Sequence, residues 1–366
     1  MKAPRKPGML MSSPYARPLA FNLEHGFSLI EILLAITLTL VVMASVFALL
    51  HRGQRSFERE PEVADMQQNA RSGLTRISAD LLMAGYKTPP AMAILWEDGG
   101  GITPDSITIV FADPDVPTAS PATSAASSTI ESSSTLLLDT STLDPAPGDP
   151  GNSYDQGMTL MAIETADCNG DGQIGFHLFE TTQDSQCTSA GGPGGPPSGG
   201  GSPGGGGGCE TLMVNHNPSA TSGLNAPGGF NGSVQADCAI VGFFRMIQYR
   251  INPPPPAANP SLERRDLSIK EPWTPVANNI ENLQFRYLVA NSPLEVDAPP
   301  AAPDPANPQT WIVGVNPTVS GRTQSVNLEG ASQGVFSAED THVRKAFSSS
   351  VSLRNVAAAA SRIEVP

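Results

Sequence analysis

The residues whose types and spacing could do chemistry lie at Asp167-Cys168-Asn169-Gly170-Asp171-Gly172-Gln173-Ile174. Oxygen-bearing side chains stand at positions 1, 3 and 5, a glycine at 6 and an apolar residue at 8, as in the first half of a calcium loop. Calcium takes about six to eight oxygens, and Asp167, Asn169, Asp171 and the Gln173 carbonyl supply only part of that set. The twelfth position is Leu178, so the usual bidentate glutamate is missing; Glu164 or Glu180 completes the shell only if the loop folds differently. The alternative reading is an Asp/Asn/Gly turn between a strand ending near Glu164 and one starting near Ile174. Four cysteines, Cys168, Cys187, Cys209 and Cys238, suit two disulfides in an oxidising compartment, and three connectivities are open. Pairing of sequence neighbours, Cys168 with Cys187 and Cys209 with Cys238, would staple both flanks of a glycine-rich run; Cys187–Cys209 across that run is the competing choice. Their spacings are too wide for zinc pairs. The chain lacks a His-Glu-x-x-His helix and a phosphate-loop pattern, and enzymatic chemistry finds little support.

One further carboxylate stands in an unusual place. From Phe27 to Leu50 the only charged side chain is Glu31. A helix of that length rises roughly 36 Å, enough to cross a bilayer core of about 30 Å. Ser28, Thr37, Thr39 and Ser45 can return their hydroxyls to helix carbonyls. A bare carboxylate in hydrocarbon costs about 2.5–3.5 kcal/mol, so Glu31 should be shallow, protonated or paired. The stretch Gly26-Phe27-Ser28-Leu29-Ile30-Glu31 with its apolar continuation resembles the signal of type IV pilins and of type II secretion pseudopilins. That resemblance implies cleavage after Gly26 by a prepilin peptidase and methylation of the new N-terminus at Phe27. It also implies that Glu31 meets the terminal amine of a neighbouring subunit during assembly. Such a pair would neutralise most of the desolvation cost. The plainer reading is an uncleaved signal anchor with a stray Glu.

Residues 1–26 then form a leader with Lys2, Arg5, Lys6 and Arg17 against Glu24, which holds it on the cytoplasmic side and exports the rest. The chain's formal charge is −14, so the remaining 340 residues carry about −17 before terminal groups are counted. That balance argues against a nucleic-acid-binding surface.

Elements must position these groups. Val63, Met66, Ala70, Leu74, Ile77 and Leu81 recur at spacings of three and four and form one apolar stripe of a continuing helix over 51–86. Pro61, helped by Gly53, should kink it near Glu58, and Gly85 should end it. Beyond it, strand patterns run through Ile107–Phe111, Thr135–Leu138, Met158–Ile163, Gly175–Glu180, Thr211–Asn215, Ala239–Ile251 and Leu283–Val289. The longest, Ala239–Ile251, is placed centrally, with Leu262–Leu267 as a hairpin partner. Residues 117–134, 191–208 and 293–309 are low in complexity and read as surface or disordered insertions in a β-rich domain over 87–366. The expected fold is α+β, one long N-terminal helix on an antiparallel sheet.

Four stretches, Gln68–Tyr86, Asp105–Ile109, Asn279–Tyr287 and Phe347–Asn355, are similar to the PilW family of minor type IV pilins. That resemblance implies a structural subunit that helps to start a filament, near its tip, with other minor pilins, the major pilin and an inner-membrane assembly platform as partners. It implies a single-pass inner-membrane protein with a periplasmic domain, later part of an extracellular pilus. A pseudopilin of type II secretion and a membrane-anchored periplasmic binding or hydrolytic protein are the alternatives.

Overall fold

The computed structural model describes residues 28–101, 103–122, 134–168, 170, 173–188, 209–217, 225, 234–254, 259–290, 292–299, 303–305, 307–328, 330–333 and 341–363. The chain divides into two compact units, Met1–Phe57 and Glu58–Pro366. In the first, the described part is helix alone. In the second, the same helix continues and carries an antiparallel β domain, so the α+β expectation holds.

Helix α1 spans Leu29–Met83, 55 residues, and runs unbroken through Gly53 and Pro61. Thr37, Thr39 and Ser45 donate their hydroxyls to the carbonyls of Leu34, Ala35 and Val41 at 2.9, 2.6 and 2.8 Å, which lets them sit in an apolar helix without stray donors. Of the stripe read from spacing, Met66, Ala70, Ile77 and Leu81 are buried, and Val63 and Leu74 are half-buried. Gly73 lies on the same face. A Cβ there would stand 2.8 Å from Leu262 Cδ2, so the missing side chain is what lets strand and helix approach. Gly85, at φ +76, closes the helix and donates its N–H to the Val110 carbonyl.

The strands in chain order are β1 (Ile94–Glu97), β2 (Ser106–Ala112), β3 (Thr135–Asp139), β4 (Thr159–Glu164), β5 (Phe176–Glu180), β6 (Gln186–Thr188), β7 (Thr211–Asn215), β8 (Ala239–Gly242), β9 (Phe244–Asn252), β10 (Ser261–Asp266), β11 (Thr274–Asn278), β12 (Ile280–Val289), β13 (Ile312–Arg322), β14 (Ser332–Gln333), β15 (Thr341–His342), β16 (Arg344–Ser348) and β17 (Val351–Ser352). A second helix, α2, covers Arg354–Ile363. Two sheets embrace the second half of α1. One has the order β1-β2-β9-β10-β11; the other has β12-β13-β16, with β17 also on β13. Ile77, Leu81, Ile109, Tyr249, Leu283 and Val319 share one core there. Burying a side chain of this size contributes about 1.5–3 kcal/mol each. Two further sheets, β3-β7-β6 and β5-β4-β8, enclose a separate core built from the length of chain that connects β2 to β9.

Several expectations need correction. Ala239–Ile251 is not one strand. It breaks at Phe243, so that β8 joins β4 in one sheet while β9 is central in another, with β10 as its hairpin partner. An unbroken apolar run cannot show that its two ends face different cores. The longest β-strand among the described residues, β13, lies outside the strand patterns read from the sequence, because Gly314, Pro317 and Gly321 interrupt its alternation. The described parts of two low-complexity stretches are ordered. Ala119 bridges Val241 and is buried, and the Trp311 indole donates to the Asp304 carbonyl at 2.8 Å. The run 191–208 lies outside the described residues.

His216, at the end of β7, is buried with Phe179 edge-on at 5.4 Å between ring centroids. Burial pushes its pKa down to about 4, and the nearby His177 adds to the shift. The neutral ring is therefore the folded form. Its contribution to stability should be complete above pH 6.5 and fall away as the pH drops towards 4, by at most about 3 kcal/mol. Denaturant melts between pH 7 and 5 check this: the wild-type midpoint should decline, and His216→Gln should decline less steeply.

Candidate assembly site

Glu31 lies in the first turn of α1, where carboxylates are favoured by the helix dipole. The turn begins on Ser28, whose carbonyl accepts from the N–H groups of Glu31 at 3.0 Å and Ile32 at 3.2 Å. Every side chain from Leu29 to Leu50 is exposed, and the helix is long and apolar enough to cross a membrane. Glu31 borders a shallow groove lined by Ile32, Ala35, Ile36, Thr39, Leu40 and Met43, of which Ala35 and Thr39 are the smallest. Gly26 and Phe27 lie outside the described residues.

In the second unit, polar groups from distant parts of the chain fasten α1. Asp80 Oδ2 accepts from Arg264 Nε at 2.8 Å and from the Tyr249 hydroxyl at 2.6 Å, with Arg76 Nε at 3.8 Å. Burial, then the Asp80 charge, raises the Tyr249 pKa well above its usual value, so the phenol remains a donor. Desolvation works against the Arg264 charge, but its bond to Asp80 leads the effects that raise its pKa overall. One turn on, the Asn355 amide donates to the Ala84 carbonyl at 3.1 Å; earlier in the helix, the Arg71 guanidinium stands 5.7 Å from the centre of the Phe347 ring. Nearer the start of the unit, Glu62 Oε2 accepts from the Ser325 N–H at 2.8 Å, and the Ser325 hydroxyl bonds Glu62 Oε1.

Asp105 ties the two sheets together. Its Oδ1 accepts from Gly99 N–H and its Oδ2 from Phe285 N–H, both at 2.8 Å, while its own N–H donates to the Leu283 carbonyl. Burial raises its pKa, and the two backbone bonds oppose that shift. Contacts thus join the stretches singled out in the sequence in pairs. Asp105 touches Phe285, Asn355 touches Ala84 just past the helix, and Phe347 lies beside Arg71 within it.

Residues 21–47 match the family described as the prokaryotic N-terminal methylation motif. The chain carries a prepilin-type N-terminus. That finding, with the apolar helix, supports a type IV pilin-like protein, pilin or pseudopilin, and fits anchoring in a membrane. It implies processing by a prepilin peptidase and assembly with other pilins. No curated protein and no solved structure matches the chain.

The other sequence-derived groups fall elsewhere. Asp167 and Gln173 are described, whereas Asn169 and Asp171 lie outside the described residues. Asp167 Oδ1 accepts from Gly170 N–H at 2.8 Å, and Gly170 has φ +74, which is turn geometry. Glu164, considered above as a completing ligand, is buried, and its two oxygens accept from Gly175 N–H at 2.9 Å and Gln235 N–H at 2.7 Å. Among the described residues no group of three His, Cys, Asp or Glu is placed to hold a metal. The cysteines pair as Cys168–Cys238 and Cys187–Cys209, which corrects the sequence-neighbour pairing. Strand register decides it. Glu164 lies opposite Ala239, so Cys168 and Cys238 follow and precede adjoining strand ends, and Cys187 in β6 lies beside β7, which Cys209 precedes. The roles of Tyr249, Arg264 and Asp105 escaped sequence reasoning, since nothing local links Asp80 to Arg264.

Replacing Asp105 by Ala would leave the buried Phe285 N–H and the half-buried Gly99 N–H without their acceptor, at a cost of about 1–3 kcal/mol. Thermal unfolding of the purified chain should show Asp105→Ala lowest, Asp105→Asn intermediate and wild type highest.

Proposed function

We propose that the chain is a minor type IV pilin similar to the PilW family, a structural subunit that helps to initiate a filament and stays in it near the tip. The match at residues 21–47 is the observation that carries this reading. The contacts that join the PilW-like stretches in pairs support the finer part. Cleavage after Gly26 would leave the Phe27 amine about one turn from Glu31. In the assembled state Glu31 pairs with a neighbour's amine, and the groove lined by Ala35 and Thr39 receives a neighbour's helix. The partners are the prepilin peptidase, the major pilin, other minor pilins and the inner-membrane assembly platform. The domain stands in the periplasm before assembly and on the extracellular pilus afterwards.

Intact mass of the chain recovered from membranes tests the first step: it should begin at N-methylated Phe27, and a chain retaining residues 1–26 in peptidase-competent cells would remove the mechanism. Glu31→Ala should lower the amount of this chain in sheared filaments at least about tenfold, since an unpaired amine in an apolar bundle costs more than 1.4 kcal/mol. A processed chain absent from pili, whose deletion blocks protein secretion, would identify a pseudopilin instead.

A further inference from the structure

Ala112 and Phe244 are cross-strand partners in β2 and β9. The chain leaves the first sheet at one and re-enters it at the other. Residues 113–243, between them, build their own pair of three-stranded sheets around Leu138, Leu160, Phe179, Leu212, Val214 and Val241. Both disulfides lie inside this stretch. The core around α1 draws no residue from it.

Charge divides at the same boundaries. Residues 113–243 hold fourteen of the chain's 35 acids and none of its 21 Lys and Arg, which leaves 21 acids against 21 bases elsewhere. The entire formal charge of −14 therefore belongs to the inserted stretch. Its carboxylates can find Lys or Arg only outside it. Asp144 meets Lys87 at 2.8 Å, and Asp113 meets Arg245 at 2.8 Å, an arginine that also bonds Asp266. Beside these pairs, Met161 and Ile163 pack with Ala112 and Phe244 in a small apolar seam.

We infer that residues 113–243 are an inserted module that folds and unfolds as its own unit, and that the part holding α1 is built without it. Separate cores, internal disulfides and adjoining entry and exit points are what such a unit requires. The module holds both disulfides and the chain's net negative charge, and residues of its core are not among those that pack the helix.

Native-state hydrogen exchange on the full chain tests this, with and without dithiothreitol, at a urea concentration that opens the reduced module. Reduction should accelerate exchange in β3, β4 and β7 at least about 100-fold, while α1 beyond Glu58, β9, β12 and β13 stay within about threefold of the oxidised protein. Uniform acceleration across both sets would overturn the inference. In a second arm, residues 113–243 are replaced by Asn-Gly, a two-residue turn suited to joining paired strands. Protection of α1 and β9 should survive the replacement, and its loss would count against the module's independence.

Discussion

Helix α1 has to satisfy two surroundings with one backbone. Between Leu29 and Leu50 it is apolar on every side, apart from Glu31 and a few self-bonded hydroxyls, and all of its side chains are exposed. From Met66 onward only one stripe is buried and the opposite face is polar. Water cannot cover the first half, so another apolar medium must, whether bilayer or neighbouring helices. The second half can be covered by the chain itself, and the sheets exist largely to do so.

The covering is held by more than apolar contact. Asp80 sits at the flank of the buried stripe, where a lone carboxylate would be costly; Arg264 and Tyr249 from adjacent strands meet it. Asp105 plays the corresponding part between the sheets, exchanging water for two backbone N–H groups. Such groups lose much if one partner is removed, which makes them specific fasteners of one register rather than large sources of stability. At the far end, Gly85 turns the chain in a conformation open to glycine and hands its N–H to β2, while Asn355 caps the Ala84 carbonyl. A helix end that would otherwise expose unmet carbonyls becomes the place where the tail of the chain docks.

The stretch between β2 and β9 answers a different demand. It has no lysine or arginine, so internal ion pairs of the usual kind are closed to it. Two disulfides and buried apolar strands hold it instead, and Glu164 inside it pairs with backbone N–H groups in place of a cation. Lys87 and Arg245 on the other side supply the charges that join the two parts.

The sequence by itself determined the elements whose cause is local. The spanning apolar run, the isolated Glu31, the three-four stripe from Met66 to Leu81, the stop at Gly85 and most strand segments follow from periodicity, length and backbone preference within a few residues. Tertiary structure decided everything that depends on which segments become neighbours. It set the disulfide pairing, because register brings Cys168 to Cys238 across seventy positions of chain. It divided Ala239–Ile251 between two sheets, and it recruited β13 in spite of its glycines and proline. It also gave Asp80 its partner, Arg264, from a strand far along the chain. The physical reason is common to all of these: a residue's own type fixes its backbone preference and its solvent preference, but a pairing is a property of two places at once, and only packing brings them together.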